Sequence, residues 1–413
     1  MKPDAIKGLQ CYQCKWFIPA EPFSYTCPQC GNNLDYVYDY DIITSDFSKS
    51  HLHSDPERSI WRYEFLLPVK KRPENTSLCV GNTPLVSLPR LAKDHKVKHI
   101  QIKDDSRNPS GSLKDRATEL AIQHAQEQNK LVIAGASTGN AGSSLAALSA
   151  HHGLASVIFA PATAPPAKLI QILQHGAQLV PVNANYDTAF ELAFEWAQQN
   201  NNYCRNTGIN PILAEGKKTV ALEIAEENGW QAPDHVFIPV GDGCIIAGVF
   251  KGFFDLLGMG WIDAMPALHG VQAVGSAAIV NSLTRGGDII PVAATTIADS
   301  ISVDLPRDGG KARRAILESG GQGFLVSDED ILQAQKSLSE NTGLFAEPAA
   351  AAAYAGFMQA SDRQVIREDE TVVILNTGSG LKDIASAETL LETIQPVEAN
   401  LEIIDSFLKA QES

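Results

Sequence analysis

Four of the seven cysteines lie in two closely spaced pairs near the N-terminus. Cys11 and Cys14 form one C-x-x-C pair, and Cys27 and Cys30 form the other. Two such turns can direct four thiolates at one ion, which predicts a tetrahedral zinc site whose last turn is eased by Gly31. Four thiolate ligands leave no open position, so we expect a structural rather than a catalytic zinc. Redox-active or coincidental cysteines are the alternative.

A lysine at a predicted helix start is the first candidate for covalent chemistry. The segment NPSGSLKDRATELAI places Lys114 between a loop rich in Gly and Ser and a helix that starts near Asp115. The partial positive charge of a helix N-terminus favours the neutral amine, which is the form that attacks an aldehyde to make an imine. A solvated lysine at an ordinary helix start is the alternative.

A second loop, in ASTGNAGSSLAALSA, joins a predicted strand to a helix of small residues. Free backbone N–H groups at this helix start, together with the hydroxyls of Ser137 and Thr138, can hold a carboxylate next to Gly139. Asn140 adds an amide donor that could bond a ring oxygen. The alternative is a capped helix whose small residues only permit close packing.

A third loop, in VFIPVGDGCIIAGVFKGF, has glycines on either side of Asp242. Gly241 and Gly243 let the backbone fold into an anion-binding nest, and the helix after Cys244 supplies partial positive charge. A phosphate could therefore sit there without a Lys or Arg. The segment is neither a Walker motif nor a good dinucleotide fingerprint. A plain Gly turn is the alternative.

A fourth loop ends the apolar run TVVILNTGSGLKD. A hydroxyl such as that of Thr377, at the end of a buried strand, could meet the nitrogen of an aromatic ring. An ordinary Gly-rich turn is the alternative.

Short apolar runs alternate with longer amphipathic segments from His99 onward, which predicts a doubly wound α/β fold with parallel sheets. Ligands in such sheets bind beyond the carboxyl ends of the strands. Ser327 and Asp330 predict a capping box. The predicted strands are HIQIKD, LVIAGAS, ASVIFAP, AQLVPV, HVFIPV, HGVQAV and TVVILN. The predicted helices include DRATELAIQHAQEQ, NAGSSLAALSAHH, PAKLIQILQH, YDTAFELAFEWAQQN, KTVALEIAEEN and SDEDILQAQKSLSENTG.

Composition excludes several classes of protein. The chain has 413 residues, which exceeds the size that a single hydrophobic core usually supports. Its formal net charge of -15 disfavours binding to nucleic acid and anionic membranes. Its apolar runs are too short to span a bilayer, so no membrane partner is expected. The N-terminus MKPDAIKGLQ has no signal-peptide pattern, so we expect a cytoplasmic protein with reduced thiols.

Taken in chain order, the loops resemble those of the fold-type II pyridoxal phosphate (PLP) enzymes, and most of all those of the threonine synthases. NPSGSLKDR is similar to the segment around their Schiff-base lysine, and ASTGNAG to their substrate-carboxylate loop. PVGDGCIIAG resembles the phosphate loop, NTGSGLKD the final loop, and GNTPLVSLPRL the entry segment. Four loops in the right order are far more specific than any one of them.

The resemblance implies a role for each loop. Lys114 would hold PLP as a Schiff base and act as general base at the α-carbon, Asn140 would bond the ring 3'-oxygen, and Gly241 to Ile245 would cradle the phosphate. A neutral Thr377 hydroxyl at the pyridine nitrogen would favour elimination and replacement over transamination. The implied substrate-binding residues are Ser112, Ser137, Thr138, Gly139 and Ser302.

The change in residue character along the chain, together with the resemblance, predicts a division into domains. We predict a zinc-ribbon-like module over residues 1–45, and a connector with the first part of the large domain over 46–95. The small domain is expected over 96–212, the large domain over 213–400 and a tail over 401–413. The family resemblance further implies a homodimer.

One departure concerns the substrate. Threonine synthases commonly resemble A-x-x-I-R-x-G where this chain has ADSISVDLPRD, so Ser302 takes the place of an arginine suited to a phosphate. Losing a bidentate clamp weakens the case for O-phospho-L-homoserine unless Arg307, Arg313 or Arg116 compensates.

The leading hypothesis is a threonine-synthase-like lyase that replaces at the β and γ carbons of O-phospho-L-homoserine. The alternatives are cysteate-synthase-like β-replacement on phosphoserine, or a serine or threonine ammonia-lyase. A non-catalytic protein that binds a partner through its zinc module is a third reading.

Overall fold

A computed structural model describes residues 5–74, 77–164, 166–391 and 396–411. The remaining positions of the sequence, including those that fall within the predicted domains and the predicted tail, lie outside the described residues. The strands are β1 (Ile6–Cys11), β2 (Phe17–Ile18), β3 (Leu34–Tyr38), β4 (Leu85–Ser87), β5 (His99–Asp104), β6 (Val132–Ala136), β7 (Ala155–Pro161), β8 (Gln178–Val182), β9 (Tyr203–Cys204), β10 (His235–Pro239), β11 (Ala267–Ala273), β12 (Gly323–Val326) and β13 (Thr371–Asn376).

The helices are α1 (Tyr40–Asp46), α2 (Lys49–Ser54), α3 (Pro89–Asp94), α4 (Lys114–Glu127), α5 (Asn140–His152), α6 (Pro166–Gln174), α7 (Tyr186–Gln199), α8 (Ile212–Glu227), α9 (Cys244–Gly258), α10 (Ala278–Arg285), α11 (Gly309–Glu318), α12 (Asp328–Thr342), α13 (Pro348–Asp362), α14 (Ile384–Glu388) and α15 (Leu401–Gln411). Short 3₁₀ segments span Ile60–Leu66, Asp105–Arg107, Val274–Ser276, Asp299–Ile301 and Gly380–Lys382. In the described part of the chain, no helix combines the length and the apolar character needed to cross a bilayer.

Two sheets carry the loops of interest. The larger has the order β12-β11-β10-β13-β5-β4 and is parallel except for its edge pair β4 and β5. The smaller has the order β8-β7-β6-β9 and is parallel throughout. The predicted α/β fold with two parallel sheets is therefore confirmed.

The central strand β10 shows why the large sheet is covered on both faces. All five of its residues are buried, as expected of a strand inside a parallel sheet. Val236 and Ile238 join the apolar cluster of α8 and α9, whereas Phe237 joins the cluster of α13 on the opposite face. Successive side chains of a strand point to opposite faces, so the apolar side chains of β10 pack into two hydrophobic cores, one on each face of the sheet.

The position of β5 corrects the sequence assignment. The sequence pattern assigns this strand to the small domain, but it lies in the large sheet, where His99 to Asp104 pair in parallel with Thr371 to Asn376 of β13. The alternation of apolar segments identifies a strand without identifying its partner. The capping box of α12 is confirmed, since the side chains and N–H groups of Ser327 and Asp330 bond reciprocally.

The N-terminal residues form a small antiparallel sheet, β2-β1-β3, that packs against α8 and α9. The Tyr38 hydroxyl donates to Glu215 at 2.5 Å, and the Tyr40 hydroxyl donates to Asp255 at 2.7 Å. Between these carboxylates lies the Lys218 ammonium, which bonds both. The module is thus joined to the main core through buried polar contacts.

Candidate active site

Lys114 opens α4, directly after a loop that is held against the turn following β13. The Leu113 N–H donates to the Thr377 carbonyl at 3.0 Å, and the Ser379 N–H donates to the Gly111 carbonyl at 3.0 Å. Two motifs that are more than 260 residues apart in sequence therefore meet through their backbones. The turn after β13 therefore fixes the position of the backbone that leads into Lys114.

The amine of Lys114 borders a cavity but is largely enclosed by protein. Its pKa is lowered to about 8, chiefly by burial and next by the positive charge of Lys217, while the carboxyl of Glu347 acts in the opposite direction. About one tenth of the amine is then neutral at pH 7. The helix-start effect was predicted to favour the neutral amine; the direction agrees, but burial is the larger cause.

The cavity beside Lys114 has a volume of about 230 Å³. Four predicted substrate-binding residues line it together with Asn140: Ser137, Thr138, Gly139 and Ser302. The N–H groups of the first two residues of α5, Asn140 and Ala141, have no partners within their helix, so this wall suits a carboxylate. Asp242, predicted as part of the phosphate loop, also lines this cavity, and the wall residues that the sequence reasoning did not identify are Ala141, Tyr186, Thr207, Asp299, Ser300 and Val303.

The amide of Asn140 is held by a buried carboxylate that the sequence analysis missed. Its Nδ2 donates to both oxygens of Glu347, at 2.8 and 2.9 Å, and to the Ser300 hydroxyl at 3.2 Å. Burial raises the pKa of Glu347, while the bond from Asn140 and the charge of Lys114 lower it. Glu347 stands before Pro348 at the start of an alanine-rich helix, and this Glu-Pro pair was the available signal.

A smaller cavity of about 50 Å³ adjoins the first one. Lys114 and Thr377 line it, as do all the residues from Gly241 to Ile245 that were predicted to bind a cofactor. The structure thus brings every predicted cofactor-binding residue to one of two neighbouring cavities that share Lys114.

The turn after β10 requires glycine at Gly243. This residue has φ 94°, and a Cβ there would lie 2.8 Å from both the Ala312 Cβ and the Asp308 carbonyl oxygen. Because α9 begins at Cys244, the N–H groups of its first turn have no partners within the helix. The turn is therefore a compact set of backbone donors of the kind that holds an anion.

A neighbouring loop braces this turn through Asp242. The Arg307 N–H donates to Asp242 Oδ1 at 3.2 Å, and the Asp308 N–H donates to the Asp242 carbonyl at 3.0 Å. Burial raises the pKa of Asp242 to about 6, and the bond from Arg307 is the main opposing influence.

Ser112 differs from the other predicted substrate-binding residues in its placement. It is fully buried, pairs by backbone with Gly378, and does not line either cavity. Its hydroxyl has no hydrogen-bond partner among the described residues.

None of the three arginines considered as phosphate clamps lines the cavities beside Lys114. Arg116 is fully buried in ion pairs with Asp105 and Glu223. Arg313 lies on α11. Arg307 bonds two acidic residues of α7, Asp187 at 2.9 Å and Glu191 at 3.2 Å.

The four paired cysteines form a cluster, as their spacing indicated. Their Sγ atoms all lie within 4.8 Å of one another, with Cys14 and Cys30 at 3.4 Å and Cys11 and Cys30 at 3.5 Å. Four thiols this close could hold one metal ion.

The family of the chain follows from comparison with known proteins. A sequence profile of the pyridoxal-phosphate dependent enzymes matches residues 76–378, a span that contains Lys114, both strand-to-helix loops and Thr377. The chain therefore belongs to the PLP-dependent enzymes, as the order of its loops predicted.

Within this family the chain is a threonine-synthase-like lyase. It is 37% identical to the threonine synthase of Methanocaldococcus jannaschii over 403 residues, which are 97% of this chain and 99% of that one. It is 36% identical to the threonine synthase of Methanosarcina acetivorans, over 96% of this chain and 97% of the relative. The threonine synthase of Mycobacterium tuberculosis is 34% identical, over 81% of this chain and 91% of its own.

Solved structures share the fold at lower identity. Threonine deaminase isoform 2 of Solanum lycopersicum has a TM-score of 0.65 and 23% identity, covering 74% of this chain and 86% of its own. A fungal L-serine ammonia-lyase from Rhizomucor miehei has a TM-score of 0.64 and 22% identity, covering 74% of this chain and 96% of its own. Identities this low show the shared fold alone, which confirms the predicted fold type II.

The residues around Lys114 fit the cofactor that the family implies. A partly neutral amine is placed to bond an aldehyde, and the turn at Gly243 leaves backbone donors for a phosphate. Next to that turn, the buried Nζ of Lys217 has no hydrogen-bond partner among the described residues.

Proposed function

We propose that this protein converts O-phospho-L-homoserine and water into L-threonine and phosphate, with PLP bound at Lys114. The observation that carries the proposal is the shared position of the Lys114 amine. It borders both the anion-binding turn after β10 and the carboxylate-binding start of α5. Relatives named threonine synthase over nearly the whole chain support this substrate.

The Lys114 amine acts as the proton carrier of the reaction. When bound, PLP supplies an electron-accepting ring that stabilises negative charge at the substrate's α-carbon. Lys114 can accept the α-proton because its pKa of about 8 keeps a useful fraction of the amine neutral. The phosphate leaves the γ-carbon, the oxygen of water ends on the β-carbon, and the same amine returns protons along the chain.

The other wall residues orient and enclose the reactants. Ser137, Thr138 and Gly139 would hold the α-carboxylate, and the turn from Gly241 to Ile245 would hold the cofactor's phosphate. Asn140, whose Nδ2 donates to Glu347 and Ser300 in this structure, would offer one of these N–H groups to the ring oxygen when the cofactor is bound. Thr377 would offer a neutral hydroxyl to the ring nitrogen, which favours elimination and replacement over transamination.

The four-cysteine cluster holds a structural zinc ion in this proposal. Its support is the mutual approach of four Sγ atoms within 4.8 Å, which suits tetrahedral thiolate coordination. A metal held by thiolates also agrees with a reducing cytoplasmic location. A homodimer is expected from the family resemblance, and light scattering of the purified protein would test it.

A second candidate is an ammonia-lyase or β-replacement reaction on serine, threonine or phosphoserine. The observation that favours it is the wall of the larger cavity, which carries Asp242, Asp299 and Ser302 but no arginine. An uncharged side chain fits such a wall better than a phosphate dianion does, so within this candidate the wall favours serine and threonine over phosphoserine.

Steady-state assays separate the two candidates. Release of phosphate and threonine from O-phospho-L-homoserine is expected, with little turnover of the other amino acids. Turnover of serine, threonine or phosphoserine, without turnover of O-phospho-L-homoserine, would exclude the first proposal and support the second.

A further inference from the structure

One buried lysine beside the glycine-rich turn has no counter-charge. Lys217, on α8, is 0% exposed, and its Nζ has no hydrogen-bond partner among the described residues. It lines the smaller cavity together with Lys114 and the residues Gly241 to Ile246. Burial lowers the pKa of Lys217, because a buried ammonium without a partner is costly, so an anion that the described residues do not supply would stabilise the charged amine here.

The other buried lysines show that the fold normally neutralises such groups. Five lysines are buried in the described chain, and four of them form ion pairs with carboxylates. These pairs are Lys103 with Glu223 at 2.8 Å, Lys218 with Asp255 at 2.8 Å, Lys311 with Asp35 at 2.6 Å, and Lys251 with Asp255. Lys217 is the exception, and it is the one that faces the turn.

The ionisable groups around Lys217 are already engaged or neutral. Asp242 accepts the Arg307 N–H, and Asp308 Oδ1 accepts the Asn33 amide at 2.7 Å. Burial raises the pKa of the Cys244 thiol, so this group stays neutral at ordinary pH. The fourth neighbour is Arg205, a second buried cation.

We infer that Lys217 binds the phosphate group of the cofactor directly, and so shares its charge with the backbone donors of the turn. This inference rests on the PLP part of the proposed function. It differs from the sequence interpretation, by which a phosphate could sit at this turn without a Lys or Arg. A charged partner adds a stronger hydrogen bond than a neutral donor would.

The first test compares PLP with pyridoxal, which lacks the phosphate, as ligands of the apoenzyme. For Lys217→Met, we expect the Kd of PLP to rise by roughly ten- to a hundredfold, the usual range for a charge-assisted bond, while the Kd of pyridoxal stays unchanged. An unchanged Kd of PLP, or an equal loss for both ligands, would overturn the inference.

The second test measures thermal unfolding of the apoenzyme. Lys217→Met removes an unpaired buried charge, so the Tm of the apoenzyme should rise, whereas the Tm increase on adding PLP should shrink. The matched variant Lys218→Met breaks ion pairs with Glu215 and Asp255 and should lower the apoenzyme Tm. A fall in apoenzyme Tm for Lys217→Met would mean that Lys217 has a partner within the protein, against the inference.

The third test separates the cofactor's phosphate from a phosphate on the substrate. If Lys217→Met raises the KM for O-phospho-L-homoserine but leaves the Kd of PLP unchanged, the residue serves the substrate and the inference is wrong. A wild-type protein that takes up no PLP would defeat the proposed function itself. A wild-type protein that binds PLP no better than Lys217→Met would defeat only the inference.

Discussion

Lys114 illustrates how a common residue becomes reactive through its surroundings. Its amine is enclosed beside Lys217 and across from Glu347, and enclosure outweighs the attraction of that carboxyl. The resulting pKa of about 8 is below the ordinary value of 10.5. The amine therefore loses its proton at a pH about two and a half units lower than a solvated lysine does.

The pH dependence of cofactor capture follows from this pKa. When PLP is added to the apoenzyme, the rate of capture by Lys114 should rise about tenfold per pH unit and level off above about pH 8. Stopped-flow absorbance between pH 6 and 10 would measure it, with free Nα-acetyl-lysine as the control. A rate that keeps rising through pH 10 would show that the amine is an ordinary solvated one.

At this scale, the sequence predicted residues that belong to contiguous motifs. Ser137 to Asn140 and Gly241 to Ile245 lie beside Lys114 because each motif is one loop after one strand. Glu347 was missed because it meets Asn140 across 207 residues, and local spacing does not encode such a contact. Lys217 was missed because a lysine in an apolar helix indicates that its amine needs a buried partner, but the local sequence does not show where that partner lies.

At the scale of elements, a chain of contacts joins the four-cysteine module to the turn after β10. The Asn33 amide, three residues after Cys30, donates to the Arg307 carbonyl at 2.8 Å and to Asp308 Oδ1 at 2.7 Å. Both acceptor residues bond Asp242 through their N–H groups. The module therefore helps to hold the segment that shapes the turn.

Removing this link should weaken cofactor binding. Asn33→Ala loses two hydrogen bonds, for which we expect about 1–2 kcal/mol and a several-fold higher Kd for PLP. Arg314→Ala is the matched control, since Arg314 bonds Asp35 of the module without contacting the turn. Titration of both apoenzymes with PLP measures the difference, and an equal loss in the two variants would refute a specific link.

The conformation of the turn gives a second element-level prediction. Gly243→Ala should cost about 1–2 kcal/mol of backbone strain and also weaken PLP binding, because a Cβ would approach Ala312 and Asp308. Gly229→Ala is the control: its φ is 67° and no atom lies within 4 Å of the added Cβ. Both variants should have a lower Tm, but only the first should lose PLP affinity. Equal PLP affinities in the two would contradict this account of the turn.

Sequence periodicity predicted the major strands and most of the long helices around the site. It did not find β9 or β12, which have two and four residues and are defined by their neighbours. Helix α13 was not predicted because its alanine run has no amphipathic pattern, since the helix is buried on nearly every side. Helix α8 begins six residues before its predicted start at Lys218, since Ile212 to Lys217 already pack within the core.

At the scale of the whole molecule, the site lies between two sheets that are tied together by side chains. The Lys382 ammonium, from the segment after β13, donates to the Gln171 side chain at 2.9 Å and to the Ser143 hydroxyl at 3.2 Å. Both partners belong to helices of the smaller sheet. The N-terminal module packs on α8 and α9, so one body contains both the cysteine cluster and the site.

Loss of the metal should therefore lower the thermal stability of the whole protein and not only that of the N-terminal module. We expect about one zinc per chain by elemental analysis, and Cys14→Ser should lower both the zinc content and the Tm. Cys79→Ser is the control, since this exposed cysteine lies outside the cluster. A purified protein without metal whose Tm is unaffected by Cys14→Ser would rule out a structural zinc.

The most direct test of the whole account is to locate the lysine that carries the cofactor. The holoenzyme is treated with borohydride, which fixes the bond between amine and cofactor, and the digested protein is sequenced by mass spectrometry. We expect the label on Lys114 alone, with its absorbance lost in Lys114→Ala. A label on another lysine, or none on the wild-type protein, would contradict the assignment of the site.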